Sequence, residues 1–304
     1  MSPPRASIVL PTLNGARDLE RLLPALAAQE LAGGFELLVV DSDSDDGTRE
    51  LCARFGASVT RIERPSFRHG PTRNARAKDA RAPFLVFLSQ DAEPRDPRFL
   101  ERLLAAFDDE RTAGTYARVL PRDDDDPLTR RTVLDAPEAS EVARVHEWVP
   151  DTRVNPATQV HFNNVASAIR RDVFERFPFP DVPFGEDLAW ATRVFVLGWR
   201  IRFVPDAVVW HSHRYGLRAA FQRYRTDAAF HRKLDGRRVR PSLWSVLRGI
   251  GYEVARDAAF VREHGGLAHL ARAPFLRAAQ VWGQYRGSRG APGPEWQETL
   301  TGAS

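Results

Sequence analysis

The chain has 304 residues, of which 43% are hydrophobic and 28% charged, and its formal net charge is +4 at pH 7. This composition predicts a globular protein of one large domain or two smaller ones, and the mild positive charge suits an anionic or phosphorylated partner. A single cysteine, Cys52, excludes a disulfide framework and any cysteine-rich metal site. The lack of helix-turn-helix, zinc-finger and RNP-type patterns argues against nucleic acid as a partner.

Residues 6–120 are predicted to form strands that alternate with helices. The strands are expected at 7–11, 35–41, 57–63, 83–89 and 113–121, and the helices at 16–29, 48–56, 70–80 and 96–109. Continuous apolar strands separated by amphipathic helices indicate an α/β fold, with a Rossmann-like, mostly parallel sheet flanked by helices. Ligands of such open sheets bind beyond the carboxyl ends of the strands.

The regular alternation stops after residue 120. We expect residues 121–160 to be irregular, with the acidic stretch 122–127 as a solvated loop. Further elements are predicted at 163–177, 186–199 and 201–213, and the pattern is mostly helical from about residue 216. This organisation predicts a main domain over residues 1–235 and a helical extension over residues 236–304. The end of that extension, from residue 286, is rich in Gly, Pro and Ser and should fray.

Two acidic stretches directly follow apolar strands, so their side chains should enter the crevice at the strand ends. Asp41 opens the stretch DSDSDDGT, which can simply cap the next helix or can accept hydrogen bonds from a nucleoside. Asp91 and Glu93, one residue apart, can bring oxygen ligands to one Mg²⁺ or Mn²⁺ ion that neutralises a departing diphosphate. The simpler alternative for Asp91 and Glu93 is a surface turn.

A second acidic pair, Glu186 and Asp187, precedes an apolar helical pattern. Acids at this position can merely complement the helix dipole. Alternatively, one of them is a general base that takes the proton of an acceptor hydroxyl, since the dipole would keep it ionised at neutral pH.

Histidines and arginines supply further candidates. His211 and His213 follow an apolar strand two residues apart, so they share a face, and either imidazole can complete the coordination of a cation held by Asp91. Arg73 and Arg223 are the arginines that we expect to grip a diphosphate, although most arginines in such clusters are solvated surface residues.

Several stretches resemble a known enzyme family. The segments SIVLPTLNGARDLERLLPALAAQ and LLVVDSDSDDGT are similar to the start of the family 2 glycosyltransferases, which have the GT-A fold. The segments HGPTRNARAKDARAPFLVFLSQDAEP, FNNVASAIRRDVFERFPFPDVPFGEDLAW and VVWHSHRYG more narrowly resemble bacterial rhamnosyltransferases. The resemblance covers roughly residues 6–235 in the same order.

The resemblance implies a nucleoside-diphosphate sugar donor and inversion at the anomeric carbon in a single displacement. By motif, the residues that would line the nucleoside pocket are Pro11, Thr12, Asn14 and Asp41. Asp187 matches the acid of the family's E-D motif, which is the catalytic base, and Glu186 would orient that base or contact the acceptor.

The same resemblance bears on the metal site. Asp91 matches the first acid of the family's D-x-D motif, whereas Glu93 departs from the second, so Asp91 is the safer ligand. His211 and His213 match a position that supplies a metal ligand in some GT-A enzymes. These matches imply Mg²⁺ or Mn²⁺ as the cofactor. A metal ion is consistent with a nucleoside-diphosphate leaving group, because the ion can neutralise the charge that develops on the diphosphate.

The function that these observations predict is an inverting, metal-dependent glycosyltransferase of cell-surface polysaccharide synthesis. It would move rhamnose or another deoxysugar to a hydroxyl of a glycan or lipid-linked acceptor. A nucleotidyltransferase is the alternative enzyme. Such an enzyme would require a phosphate loop with Gly and Lys near the N-terminus, and PTLNGARD is not such a loop. A sugar-nucleotide-binding partner subunit without turnover is the alternative from another class.

The N-terminus shows no signal-peptide pattern, and no run of about 18 apolar residues occurs, so a cytoplasmic protein without a transmembrane helix is expected. The helical stretch 241–285 combines Trp, Leu and Phe with several Arg. It can pack on the catalytic domain, form a homodimer contact or lie on the inner face of the cell membrane.

Overall fold

The computed structural model describes residues 3–149 and 155–291. The chain forms two compact units: residues 1–120 with 137–211 make the first, and residues 121–136 with 212–304 make the second. The boundary that the sequence suggested, after residue 235, differs from this division. The difference arises because the helix before residue 235 packs with the later helices rather than with the sheet.

Nine strands and ten α-helices occur in the described residues. The strands are β1 (Ala6–Thr12), β2 (Phe35–Asp41), β3 (Ser58–Arg61), β4 (Phe84–Leu88), β5 (Glu93–Pro94), β6 (Thr112–Leu120), β7 (Arg144–His146), β8 (Ala166–Arg170) and β9 (Arg200–Trp210). The helices are α1 (Ala16–Ala27), α2 (Thr48–Arg54), α3 (His69–Ala77), α4 (Phe99–Ala105), α5 (Pro127–Leu134), α6 (Arg171–Arg176), α7 (Glu186–Val196), α8 (Leu217–Leu234), α9 (Leu243–His264) and α10 (Ala273–Gly287).

The strands of the first unit form one sheet in the order β3-β2-β1-β4-β8-β6-β9-β5, with β7 paired to β9. Strands β3, β2, β1 and β4 are mutually parallel, and β6 is parallel to β9. Strand β8 runs antiparallel between β4 and β6. The α/β fold predicted from the sequence is confirmed, and the carboxyl ends of β1, β2 and β4 lie at one edge of the sheet.

An aromatic core holds α7 against the sheet. The fully buried Trp190 contacts Phe162 and Phe179, with ring centroids 5.2 and 6.1 Å away. Its indole Nε1 donates to the carbonyl oxygen of Phe177 at 2.7 Å. A Cβ at Gly114 would lie 3.1 Å from ring atoms of both Trp190 and Phe162, so a larger residue there would push these rings away from β6. This packing fixes the N-terminus of α7.

The expectation that residues 121–160 are irregular is wrong for two segments, α5 and β7. Asp126 is buried and caps α5, accepting hydrogen bonds from the backbone N–H groups of Leu128 and Thr129 at 3.1 and 3.2 Å. Pro127 begins the helix, where a missing N–H costs nothing. An aspartate followed by proline is a helix start, and the acidic run around it concealed that signal.

The second unit is helical around a buried ionic cluster. The fully buried Asp257 of α9 accepts hydrogen bonds from Arg131 of α5 at 2.6 Å and from Arg277 of α10 at 2.7 and 2.8 Å. Gly283 lets α10 approach α8 closely, because a Cβ there would lie 2.5 Å from the carbonyl oxygen of Phe221. The part of the predicted frayed tail at 292–304 lies outside the described residues.

Among the described residues, no helix combines the length and the apolar character needed to cross a membrane.

Candidate active site

The first polar cluster lies at the carboxyl ends of β1 and β2. Thr12 and Asp41 are register partners in the parallel pair. Asp41 is fully buried, and its Oδ2 accepts hydrogen bonds from Thr12 Oγ1 at 2.9 Å and from Ser44 Oγ at 2.5 Å. Its Oδ1 accepts from the Ser44 backbone N–H at 2.9 Å and from Arg49 at 3.0 Å.

These bonds hold the Asp41 carboxylate ionised. Burial would raise its pKa, but hydrogen bonds from Ser44, Thr12 and Arg49 outweigh burial and lower the pKa below its ordinary value. Four donors occupy the acceptor positions of the carboxylate. Asp41 therefore orders the loop that follows β2 in this structure, and its contact with a nucleoside stays a prediction.

The loop after β1 is fastened to the loop after β2. Asn14 has a left-handed backbone, with φ of 45°, a conformation that asparagine tolerates better than most residues. Its N–H donates to Ser44 Oγ at 2.8 Å, and its side-chain oxygen accepts from the Asp45 N–H at 3.1 Å. Thus Thr12, Asn14 and Asp41 meet in one cluster, while Pro11 lies one residue earlier in β1, opposite Val40.

The second cluster forms where β4 and β9 end. Strand β5 pairs with the end of β9, with Glu93 opposite Trp210, and this pairing brings Asp91 beside His211, the residue that follows β9. His211 Nε2 lies 3.4 Å from Asp91 Oδ1, and both side chains are largely buried. His213 lies two residues further on, in the second unit.

This donor set fits a divalent cation. A carboxylate oxygen and an imidazole nitrogen suit Mn²⁺ and related ions, and Asp91 and His211 are close enough to share one ion. Another predicted ligand, Glu93, contacts a cation of the chain itself: its Oε2 lies 3.7 Å from Nε of Arg21 in α1. Within the first unit the structure thus brings two of the four predicted ligands together, Asp91 and His211, and binding of a metal by any of the four stays a prediction.

The third cluster lies at the N-terminus of α7. Glu186 is buried, and its Oε1 accepts hydrogen bonds from Arg73 and from the Asn164 side-chain amide, each at 3.1 Å. Asp187 is half-buried. Its Oδ2 accepts from the Asn164 backbone N–H at 3.0 Å and its Oδ1 from the Leu188 N–H at 2.8 Å.

Burial and the adjacent Glu186 charge raise the pKa of Asp187 to about 6. From the sequence, the helix dipole was expected to keep this group ionised, whereas desolvation and a like charge act in the opposite direction and raise the pKa. Asp187 is still mostly ionised at pH 7, and it is a stronger base than an ordinary aspartate.

Arg73 and Arg223 have different settings. Arg73 is buried in the first unit and bonded to Glu186, and its Nε is buried without a hydrogen-bond partner among the described residues. Arg223 belongs to α8 of the second unit. Contact of either residue with a diphosphate stays a prediction.

Hydrogen bonds connect the three clusters along one edge of the sheet. Gln90, next to Asp91, accepts from the N–H of Leu13 at 2.8 Å, which joins the second cluster to the first. The N–H of Ser89 donates to the carbonyl oxygen of Val165 at 3.0 Å, which joins β4 to the segment that holds α7. The carboxylates of Asp41, Asp91 and Asp187 therefore belong to neighbouring segments.

Sequence reasoning missed three residues of these clusters, namely Ser44, Gln90 and Asn164. Their side chains hold neighbouring segments in place rather than carrying a charge. The repeated asparagine of the FNN stretch, before an apolar strand, was the available signal for Asn164. Nothing in the sequence alone pairs it with Glu186 and Asp187.

Comparison with known proteins places this arrangement in context. The family model "Glycosyl transferase family 2" matches residues 7–177. The O-antigen chain rhamnosyltransferase RfbN of Salmonella typhimurium is 30% identical over 231 residues, which cover 75% of this chain and 72% of that protein. The O-antigen chain rhamnosyltransferase WbaN of Salmonella anatum is 32% identical over 64% of this chain, and the match spans 62% of that protein's length.

Solved structures share the fold. The mannosyltransferase PcManGT from Pyrobaculum calidifontis, solved with GDP-Man and Mn²⁺, matches 95% of this chain and 85% of its own, with a TM-score of 0.58 and 20% identity. TarS residues 1–349 of S. aureus, solved with UDP-GlcNAc, match 98% of this chain and 92% of their own, with a TM-score of 0.56 and 17% identity. The fold is therefore GT-A, and the chain belongs to glycosyltransferase family 2.

Proposed function

We propose that this protein transfers a sugar, rhamnose or another deoxysugar, from a nucleoside-diphosphate donor to a hydroxyl of a glycan or lipid-linked acceptor in cell-surface polysaccharide synthesis. One observation carries the proposal: the pair Asp91 and His211, which is suited to a cation, and a carboxylate of raised pKa lie on hydrogen-bonded neighbouring segments at one edge of the sheet. The rhamnosyltransferase relatives support the choice of sugar.

In this proposal Asp187 is the general base. The acceptor oxygen forms a bond to the anomeric carbon while the bond from that carbon to the diphosphate oxygen breaks, and Asp187 takes the acceptor's proton. A single displacement of this kind inverts the anomeric configuration. The two N–H groups that Asp187 accepts from fix the direction of its carboxylate, so the base is positioned before the acceptor arrives.

Glu186 acts through its neighbour. Its carboxylate is held by Arg73 and Asn164, and its negative charge raises the basicity of Asp187. Arg73 and Arg223 are the proposed diphosphate-binding arginines, and the loop that Thr12, Asn14 and Asp41 order, together with Pro11, is the proposed nucleoside pocket.

The proposed cofactor is Mg²⁺ or Mn²⁺, bound by Asp91 with His211 and His213, and with Glu93 as a further ligand. When bound, the ion would neutralise the charge that grows on the departing diphosphate. The chain's own contribution is to hold Nε2 of His211 3.4 Å from Oδ1 of Asp91. We place the reaction on the cytoplasmic side of the membrane, as expected from the sequence.

The test is release of nucleoside diphosphate from a panel of nucleoside-diphosphate sugars, with and without Mn²⁺. Metal-stimulated release from a deoxysugar donor in the presence of a saccharide acceptor is the expected result. Donor binding without release from any donor and acceptor in the panel would favour the non-catalytic partner subunit. Release of inorganic pyrophosphate from a nucleoside triphosphate and a sugar phosphate would favour the nucleotidyltransferase.

A further inference from the structure

A basic and apolar surface lies at the start of α9 in the second unit. We define the α9 surface as Arg238, Leu243, Trp244, Leu247 and Arg248, all of which are exposed. The exposed fractions are 72% for Trp244, 65% for Leu247 and 57% for Leu243, and grouped exposed apolar side chains are typical of interaction sites. Their positions in the helix place Leu243 and Leu247 one turn apart, on the same face as their neighbours Trp244 and Arg248.

This surface differs from the face by which α9 packs in its own unit. Val246 is buried in a cluster with Val281 and Tyr285 of α10. Gly249 is buried as well, and a Cβ there would lie 2.8 Å from the guanidinium of Arg240. One side of α9 is therefore packed within its own unit. Trp244 and Leu247 are exposed and do not contribute to this packing.

The charge around these apolar residues has one sign. Residues 236–252 contain four arginines and no aspartate or glutamate. Three of the four, Arg237, Arg238 and Arg248, are exposed, and Arg248 lies in α9 one turn after Trp244. A face that combines Trp and Leu with Arg suits the interface of an anionic bilayer, where the rings and aliphatic chains reach the acyl boundary and the guanidinium groups meet lipid phosphates.

We propose that the α9 surface binds an anionic phospholipid bilayer, with Trp244 and Leu247 inserted below the headgroups and Arg238 and Arg248 paired with lipid phosphates. Binding is peripheral and depends on anionic lipid. It would hold the enzyme close to a lipid-linked acceptor, but lipid binding itself does not depend on the proposed sugar transfer, so each can be tested alone.

The test is cosedimentation of the full chain with vesicles of phosphatidylcholine alone and of phosphatidylcholine mixed with phosphatidylglycerol. We expect binding to the mixed vesicles, weak binding to the neutral ones, and a loss of affinity as salt rises toward about 0.5 M, where the Debye length falls to several Å. Arg238→Glu with Arg248→Glu, or Trp244→Ser with Leu247→Ser, should each weaken binding on the order of tenfold or more.

Matched controls sit outside the surface. Arg262→Glu changes an exposed arginine at the other end of α9, and Leu197→Ser changes an exposed leucine of the first unit; both should leave vesicle binding unchanged. Brominated lipid should quench tryptophan fluorescence in the wild type, and Trp244→Phe should remove most of that quenching. Trp296→Ser checks that residues 292–304 do not supply the lipid contact.

The outcomes separate the occupants of the surface. Equal binding to neutral and anionic vesicles, or unchanged binding in both double variants, overturns the proposal. So does loss of lipid binding in Trp296→Ser alone. A chain that ignores vesicles but sediments as a dimer, and becomes monomeric in the Trp244→Ser, Leu247→Ser variant, would show instead that the surface binds a second copy. Turnover of a water-soluble acceptor is a separate readout, and it should be unchanged in all of these variants.

Discussion

Asn164 binds Asp187 through its backbone N–H at 3.0 Å, while its side-chain amide binds the adjacent Glu186 at 3.1 Å. One residue therefore positions both carboxylates at the start of α7. Burial of Asp187 and, after it, the charge of the adjacent Glu186 raise the pKa of Asp187, and this is the physical origin of a base suited to neutral pH.

Replacing that base should abolish transfer without disturbing the donor. We predict that Asp187→Asn lowers kcat by about 10²–10⁴-fold, the usual contribution of a general base, and leaves the donor Kd nearly unchanged. Steady-state release of nucleoside diphosphate and calorimetry with a non-transferable donor measure the two quantities. Near-normal turnover in the variant would remove Asp187 from the base role.

The pH dependence of transfer should report the same group. Since the pKa of Asp187 is about 6, the fraction of ionised base falls as the pH falls through that value. We expect kcat/KM of the wild type to decline below about pH 6, and the residual activity of Asp187→Asn to lack that decline. A wild-type profile that stays flat down to pH 4.5 would contradict the assignment.

Stability should show the raised pKa as well. In the unfolded chain Asp187 loses its proton near pH 3.8, whereas in the folded chain it keeps the proton up to about pH 6. Ionisation of Asp187 in the folded state therefore lowers the free energy of unfolding as the pH rises through this range. The Tm of Asp187→Asn minus that of the wild type should therefore become more positive as the pH rises from 4 to 8. Thermal melts at several pH values measure this difference, and a difference that becomes more negative would be inconsistent with a raised pKa.

Asp91 should control metal-dependent donor binding. We predict that Asp91→Ala weakens the calorimetric affinity for the donor in the presence of Mn²⁺ on the order of tenfold or more, because the cation loses its carboxylate ligand. The exposed Asp124 is a matched control, and Asp124→Ala should bind donor like the wild type. An unchanged affinity in Asp91→Ala would exclude this residue from the metal site.

Asp41 should matter for stability in a pH-dependent way. Asp41→Asn removes the charge that four donors surround, so we expect the free energy of unfolding to fall by about 2–3 kcal/mol at pH 7. The pKa of Asp41 is lowered in the folded state, so its contribution is present above the ordinary value of 3.8 and is lost as the pH falls below it. Urea unfolding measures the change. The exposed Asp45, changed in Asp45→Asn, should lose much less.

Arg73 should hold Glu186 in place. Arg73→Met leaves a buried carboxylate without its ion partner, which costs about 3–5 kcal/mol in comparable cases. Adding Glu186→Gln should recover part of that loss, because the unpaired charge is then gone. Denaturant unfolding of both single variants and the double variant tests the coupling, and additive effects would argue against the pair. Arg68→Met, at an exposed arginine nearby in the sequence, serves as the control.

The sequence was informative where an apolar strand ends at a charge. Asp41 and Asp91 could be predicted to lie at one sheet edge because parallel strands carry their next residues to the same side. Asn164 could not be placed, since its two carboxylate partners come from a helix that follows later in the chain. The helix that Asp126 caps was hidden because a run of four aspartates is usually solvated, and only the fold buries the last of them.

The measurement that tests the account most directly is the anomeric configuration of the transferred sugar, determined by NMR of the product formed from a donor of known configuration. A single displacement with Asp187 as base predicts a product of the opposite configuration. A product that keeps the donor's configuration would contradict the account, because retention cannot result from one in-line attack by the acceptor.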